Sequence, residues 1–148
     1  MPNPSEKVVS IIPAAGLGVR MGLAVPKQYY EIDHKPLLIY TLEKFQFCHS
    51  VDKVVLVVPV EDVEETERMV TDLKITKVSR VVQGGEERQD SVREGLKMVP
   101  DHTEIVVIHD GVRPFVSSQK IEDCIEAAKE HGASILALPV KKDRKSVV

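Results

Sequence analysis

The scarcities of this 148-residue chain narrow its class before any motif is read. Its two cysteines, Cys48 and Cys124, stand far apart with no C-x-x-C pair and no partnering histidine, which argues against metal or redox duty. Both fall in helix-like segments and read as core or half-buried thiols. Long apolar runs are missing too. The longest, such as Val54 to Val60 and Ile105 to Ile108, fall far short of a bilayer's thickness, so no membrane association is expected. The opening MPNPSEKVV lacks the charged start and apolar core of a signal peptide, and the expected compartment is the cytoplasm. A net charge of −3 gives no global attraction to a nucleic acid polymer, so any anion site must be a local patch. Repeats, low-complexity tracts and internal linkers are absent as well.

What remains is a globular composition, 43% hydrophobic and 29% charged, in a chain of single-domain length. Lys7 to Pro13 reads as a first buried strand and Lys53 to Pro59 as a second, both β-branched and apolar throughout. Val78 to Gln83, Glu104 to His109 and Ala133 to Leu138 complete five expected strands. Between them lie helical patterns. Pro36 suits the first position of a helix lined by Leu38, Thr41, Leu42 and Phe45. Glu61, Asp62, Glu64 and Glu65 open another, with Val63, Met69, Val70 and Leu73 inward. A third starts near Arg88 with Val92, Leu96 and Val99 on one face, and a fourth near Ser118 carries Ile121, Ile125 and Ala128 to a natural stop at Gly132. Apolar strands alternating with helices predict a mostly parallel sheet covered on both faces, a Rossmann-like α/β architecture.

In such sheets ligands bind beyond the C-terminal strand ends, and three unusual loops fall there. The first, in IIPAAGLGVRMGLAVPKQY, has Gly16 and Gly18 where backbone amides could turn toward an anion, with Arg20 and Lys27 close by. That pairing points to polyphosphate, although the glycine spacing matches neither G-x-G-x-x-G nor a Walker A loop. The second, QGGEERQDS, brings Gly84 and Gly85, with Arg88 and Ser91 on the first turn of a helix whose dipole favours negative charge. The third, HDGVRP, offers Asp110 and Arg113. A carboxylate facing a phosphate site makes sense if Mg²⁺ lies between them; the plainer alternative is that Asp110 caps a turn or pairs with Arg113. His109 reads as a hydrogen-bonded strand-end residue that shapes the next turn.

PAAGLGVRMG with PKQY, then GGEERQDSV, then HDGVRPF resembles the 2-C-methyl-D-erythritol 4-phosphate cytidylyltransferases of non-mevalonate isoprenoid synthesis, over about Val8 to Val140. The related ribitol-5-phosphate cytidylyltransferases share PKQ and HD-x-x-RP; Pro13-Ala14-Ala15-Gly16 favours the isoprenoid enzymes. The resemblance implies a three-layer α/β/α nucleotidyltransferase fold acting on CTP and a sugar-alcohol phosphate with Mg²⁺. It implies that Ala14, Ala15, Gly16 and Gly18 line the CTP site through their backbones, and that Gly85, Glu86 and Ser91 read the cytosine. Arg20 and Lys27 would hold the triphosphate and stabilise the transition state, while Asp110, followed by Gly111, would bind Mg²⁺ and the ribose side. Arg88 would brace the second loop and Arg113 the third.

The resemblance also sets a boundary. Residues 1–140 read as the nucleotide-binding domain, and 141–148 (KKDRKSVV) as a divergent tail, truncated or non-contiguous. The family's C-terminal strands, its β-arm used in homodimerisation and a second metal-binding aspartate are expected to be missing from this sequence.

Overall fold

The computed structural model describes residues 7–16 and 25–139; the readings on Gly18, Arg20 and 140–148 lie outside the described residues. β1 (Val8–Pro13) is buried along its whole length and β4 (Lys53–Val58) over all but its first residue. They pair in parallel, with β5 (Val78–Gln83) beyond β4 and β6 (Ile105–Ile108) beyond β1, giving the order β5-β4-β1-β6. A strand flanked on both sides and roofed on both faces has no use for polar alternation, which is why VVSIIP and KVVLVV read as continuous apolar runs. A separate two-stranded antiparallel pair, β2 (Glu31–Ile32) and β3 (Lys35–Pro36), precedes the first helix.

Successive side chains of a strand point to opposite faces, and the core divides accordingly. Val8, Ile12, Val54, Leu56 and Val58 pack with α1 (Leu37–Gln46), α2 (Val63–Asp72) and α4 (Ser118–His131), whose contributions include Leu38, Leu42, Phe45, Val70, Ile121 and Ile125. Val9, Ile11, Val55 and Val57 form the other cluster, under α3 (Arg88–Leu96). The result is three layers, α/β/α.

Helix boundaries follow their chemistry. Pro36 flanks α1 rather than opening it, and Leu38, Thr41, Leu42 and Phe45 are buried as their spacing predicts. The Ser117 hydroxyl accepts the Lys120 N–H at 3.2 Å to start α4, and Gly132, at φ 86°, ends it in the left-handed region that glycine tolerates.

Three expectations are corrected. Ala133 to Leu138 is not a strand: it forms no ladder and is exposed throughout, with Ile135 at 87% and Leu138 at 91%. Its β-type composition has no paired partner, and strand propensity is expressed only against one. On α3, Ser91 and Gly95 face the sheet while Leu96 is exposed. The helix lies so close that a Cβ on Gly95 would stand 2.6 Å from Ile11 Cγ2 and 3.2 Å from Val57 Cγ2, so small residues take the inward stripe. On α2, Thr66 is buried and Leu73, the cap residue just past the helix end, is exposed although its spacing continues the Thr66–Val70 stripe.

Candidate functional site

Three backbone bonds carry the sheet's geometry into the loops at its C-terminal end. Ala14 N–H donates to Val57 O (2.7 Å), Gly84 N–H to Val58 O (2.8 Å) and Gly111 N–H to Pro13 O (3.0 Å), so the exits of β1, β5 and β6 start in fixed positions at one end of the sheet. Between them lies a crevice of about 230 Å³, walled by Ala14, Ala15, Gly16, Lys27 and Gln28 from the first loop, Gly85 to Arg88 and Ser91 from the second, and Asp110 and Val112 from the third.

The first two loops touch. A Cβ on Gly84 would lie 2.5 Å from Ala15 Cβ and 2.6 Å from Ser91 Oγ, so only glycine lets them close this tightly. Ser91 Oγ accepts the Gly85 N–H at 3.3 Å, and the Asp90 carboxylate accepts the Glu87 N–H, fixing the entry to α3 above the crevice.

Lys27 stands on a single 3-10 turn, Lys27–Tyr29, anchored on its far side. Tyr29 packs against the larger core cluster and its hydroxyl meets Thr66 Oγ1 of α2 at 2.9 Å. Burial, together with the negative charge of nearby Asp62, pushes the Tyr29 phenol up to about 12, the Thr66 bond acting the other way. Between them Gln28 is 2% exposed, and among the described residues its amide nitrogen has no hydrogen-bond partner.

The third loop is held from behind. Thr41 Oγ1 donates to Gly111 O at 2.7 Å in a buried bond, and the His109 ring, 5.3 Å from the Phe45 ring, places Nε2 2.9 Å from Arg113 O. His109 thus shapes the turn, as its place at the strand end predicts. In front, both oxygens of Asp110 are occupied: Arg88 Nε donates to Oδ1 at 2.7 Å and Arg113 Nε lies 2.8 Å from Oδ2. The pairing with Arg113 that the sequence left open is present, and Arg88 joins it from α3.

Among the described residues no group of three or more metal-ligating side chains exists. A Mg²⁺ ion needs only one or two carboxylates when phosphates and water supply the remaining oxygens, so Asp110 at the crevice mouth fits that chemistry once an arginine yields an oxygen.

Of the expected site residues, the crevice brings together Ala14, Ala15, Gly16, Lys27, Gly85, Glu86, Arg88, Ser91 and Asp110. Gly111 is not in its wall. It is buried behind, where a Cβ would meet Ala14 Cβ at 2.8 Å, and Val112 takes the wall position. Gly18 and Arg20 lie outside the described residues. Sequence reasoning passed over Gln28 and Glu87; Gln28 stood in the PKQY signature, and its polar side chain beside Lys27 was the available signal. A larger hollow, about 800 Å³, runs along β6 and α4, lined largely by apolar side chains and away from the Gly-rich loops. Size therefore does not pick the site; convergent amides and charges do.

Comparison with known proteins gives a consistent result. The sequence profile of the family described as IspD, 2-C-methyl-D-erythritol 4-phosphate cytidylyltransferase, matches residues 8–147. A 2-C-methyl-D-erythritol 4-phosphate cytidylyltransferase of Syntrophus aciditrophicus is 46% identical over 142 residues, covering 95% of this chain and 61% of the relative. One of Clostridium perfringens is 44% identical over 128 residues, covering 86% of this chain and 56% of the relative. Among solved structures, a 4-diphosphocytidyl-2C-methyl-D-erythritol synthase superposes with a TM-score of 0.71 at 30% identity, over 92% of this chain and 61% of that one. The corresponding synthase of Anaerococcus prevotii gives 0.70 at 28% identity, over 84% of this chain and 52% of that one. The chain thus spans little more than half the length of the relatives it matches. No helix among the described residues is long and apolar enough to cross a membrane.

Proposed function

The chain belongs to the 2-C-methyl-D-erythritol 4-phosphate cytidylyltransferase family, and on that footing we propose that its crevice binds CTP and transfers CMP to 2-C-methyl-D-erythritol 4-phosphate. The observation that carries this reading is the convergence of Lys27, the Gly85–Ser91 helix entry and Asp110 on one crevice at the C-terminal sheet end.

Backbone groups of Ala14 to Gly16 and Gly85, with Glu86 and Ser91, form a narrow slot that rejects a purine by shape and can pair with the cytosine edge. Lys27, with Arg20 from the same loop, places positive charge along the triphosphate. An oxygen of the acceptor's phosphate attacks the α-phosphorus in line; that P–O bond forms as the bond to the bridging oxygen breaks, and pyrophosphate leaves with the electron pair. A phosphate monoester is already an anionic nucleophile, so the chain needs no general base. Its work is positioning and charge neutralisation. Mg²⁺, held by Asp110 and the nucleotide's phosphates, would supply further charge neutralisation. In the full-length form of such an enzyme we expect a homodimer.

Pyrophosphate release from CTP with Mg²⁺ and either methylerythritol phosphate or ribitol 5-phosphate tests the reading. In a chain that spans the full length of the relatives, release is expected with the first acceptor, and Lys27→Ala and Arg20→Ala should each lower it by ~10² or more while folding is kept; the 148 residues alone are expected to turn over very slowly. Preference for ribitol 5-phosphate, tighter binding of ATP than of CTP, or CTP binding without release from either acceptor would each overturn it.

A further inference from the structure

A buried amide beside the crevice has a nitrogen that the described residues leave unpaired. Gln28 is 2% exposed, lines the crevice, and among the described residues its Nε2 has no hydrogen-bond partner. Leaving a buried donor unpaired forfeits its bond to water with nothing in return, so folded proteins rarely keep one without a reason. An –NH₂ group can only donate, and its missing partner must be an acceptor. The chain's own neighbours supply the rest: Lys27 precedes Gln28 on the same 3-10 turn, and Ala15 and Gly16 line the same crevice. This corner is built for an anion, and a phosphate oxygen is an acceptor that suits it. The terminal amide torsion of glutamine is broad, so the group can turn to a ligand at little cost. The turn that carries it is held by Tyr29 and Thr66 on the opposite side.

We propose that Gln28 is a ligand-binding residue whose side-chain amide donates a hydrogen bond to a phosphate oxygen of the bound polyphosphate, beside Lys27. The proposal rests on the nucleotide reading of the crevice and adds to it a residue outside the expected set. It also explains why the turn buries a polar residue where an apolar one of the same size would hold the fold better.

That last point makes the test two-sided. Gln28→Met keeps length and volume but removes the orphan donor. The ligand-free variant should melt at the same temperature as the native chain or higher, while its affinity for CTP, and for inorganic triphosphate, falls about tenfold or more, the scale of a bond to a charged acceptor. Gln28→Glu, which puts an anion in the same space, should weaken both ligands further. Calorimetric titration and a thermal melt of each variant read this out. Unchanged affinities in both variants overturn the proposal. So does a loss confined to CTP, which would put the contact on the nucleoside, or a melting temperature several degrees lower in Gln28→Met, which would mean that the amide is bonded inside the fold. The nucleotide reading fails separately: a native chain that takes triphosphate but no CTP in preference to other nucleotides refutes cytidylyl transfer and leaves the amide contact standing, while one that takes neither refutes both.

Discussion

Ile11 and Ile108 are register partners on adjacent parallel strands, pointing to the same face of the sheet, yet Ile11 is fully buried and Ile108 is 44% exposed. The neighbouring pair repeats the contrast: Val9 is 1% exposed and Val106 37%. The residues do not differ in kind. What differs is the roof, because α3 lies over β1, β4 and β5 and does not extend across β6. On the opposite face Ile105 and Val107 pack against the core with α4, so β6 is covered on one side only. Burial is a property of the neighbour as much as of the residue.

The first consequence is the largest. Ile11→Ala opens a cavity between β1 and α3 and should cost about 2–5 kcal/mol, whereas Ile108→Ala, losing contacts it has only in part, should cost under about 1 kcal/mol. Denaturant unfolding of the two variants measures both. Equal losses would mean that β6 is roofed in solution on the face that stands open here.

A smaller effect probes the covered side at the foot of the crevice. Tyr29 titrates near 12 in the folded chain because burial opposes its charged form, against about 10 for a free phenol. A raised folded value means that the neutral phenol contributes stability in full below pH 10, and that this contribution is lost as pH rises through 12. Tyr29→Phe should therefore flatten the fall in stability over that window. At neutral pH it should cost about 1 kcal/mol, the scale of the lost bond to Thr66. Spectrophotometric titration should show one of the three tyrosines ionising later than the others. A Tyr29→Phe chain with an unchanged alkaline limb would place the phenol in water.

The same contrast explains what could be read from the sequence. VVSIIP and KVVLVV announce central strands because both their faces are covered; IVVI is just as apolar, but composition cannot say that one roof is missing. ASILAL carries the same β-type signal as β5, and what it lacks is a paired neighbour, a tertiary fact. Ser91 and Gly95 were passed over as an inward stripe because hydropathy ranks Leu96 above both, whereas a close helix–sheet approach selects for small size. The crevice was more legible than the packing. Turns that need glycine and loops that gather charge are local features, so nine expected wall residues converge. Gln28 was legible only as a polar residue beside Lys27 in PKQY; that its donor is unpaired among the described residues emerges only once the fold has buried it.

The smallest expected effect lies where the two regions meet. Arg88 opens α3, on the roofed side, and Asp110 leaves β6, so their 2.7 Å bond ties one region to the other, and Arg113 closes on the second oxygen at 2.8 Å. Three charges in one cluster suggest a keystone, but the two arginine side chains are 60% and 73% exposed, and ion pairs with such partners are worth about 0–1 kcal/mol because water screens them and ordering a long side chain costs entropy. Asp110→Asn keeps the shape, loses the charge and sets amide hydrogens against guanidinium hydrogens, so a loss of no more than about 1 kcal/mol is expected, shrinking further at high salt. The low cost has a use: a carboxylate held this lightly can release an arginine to arriving phosphate and offer its oxygen elsewhere. Denaturant unfolding at low and high ionic strength is the measurement. A loss well above 2 kcal/mol that salt does not reduce would make the cluster a structural tie between α3 and β6, and Asp110 would not then be free to exchange partners when a ligand enters.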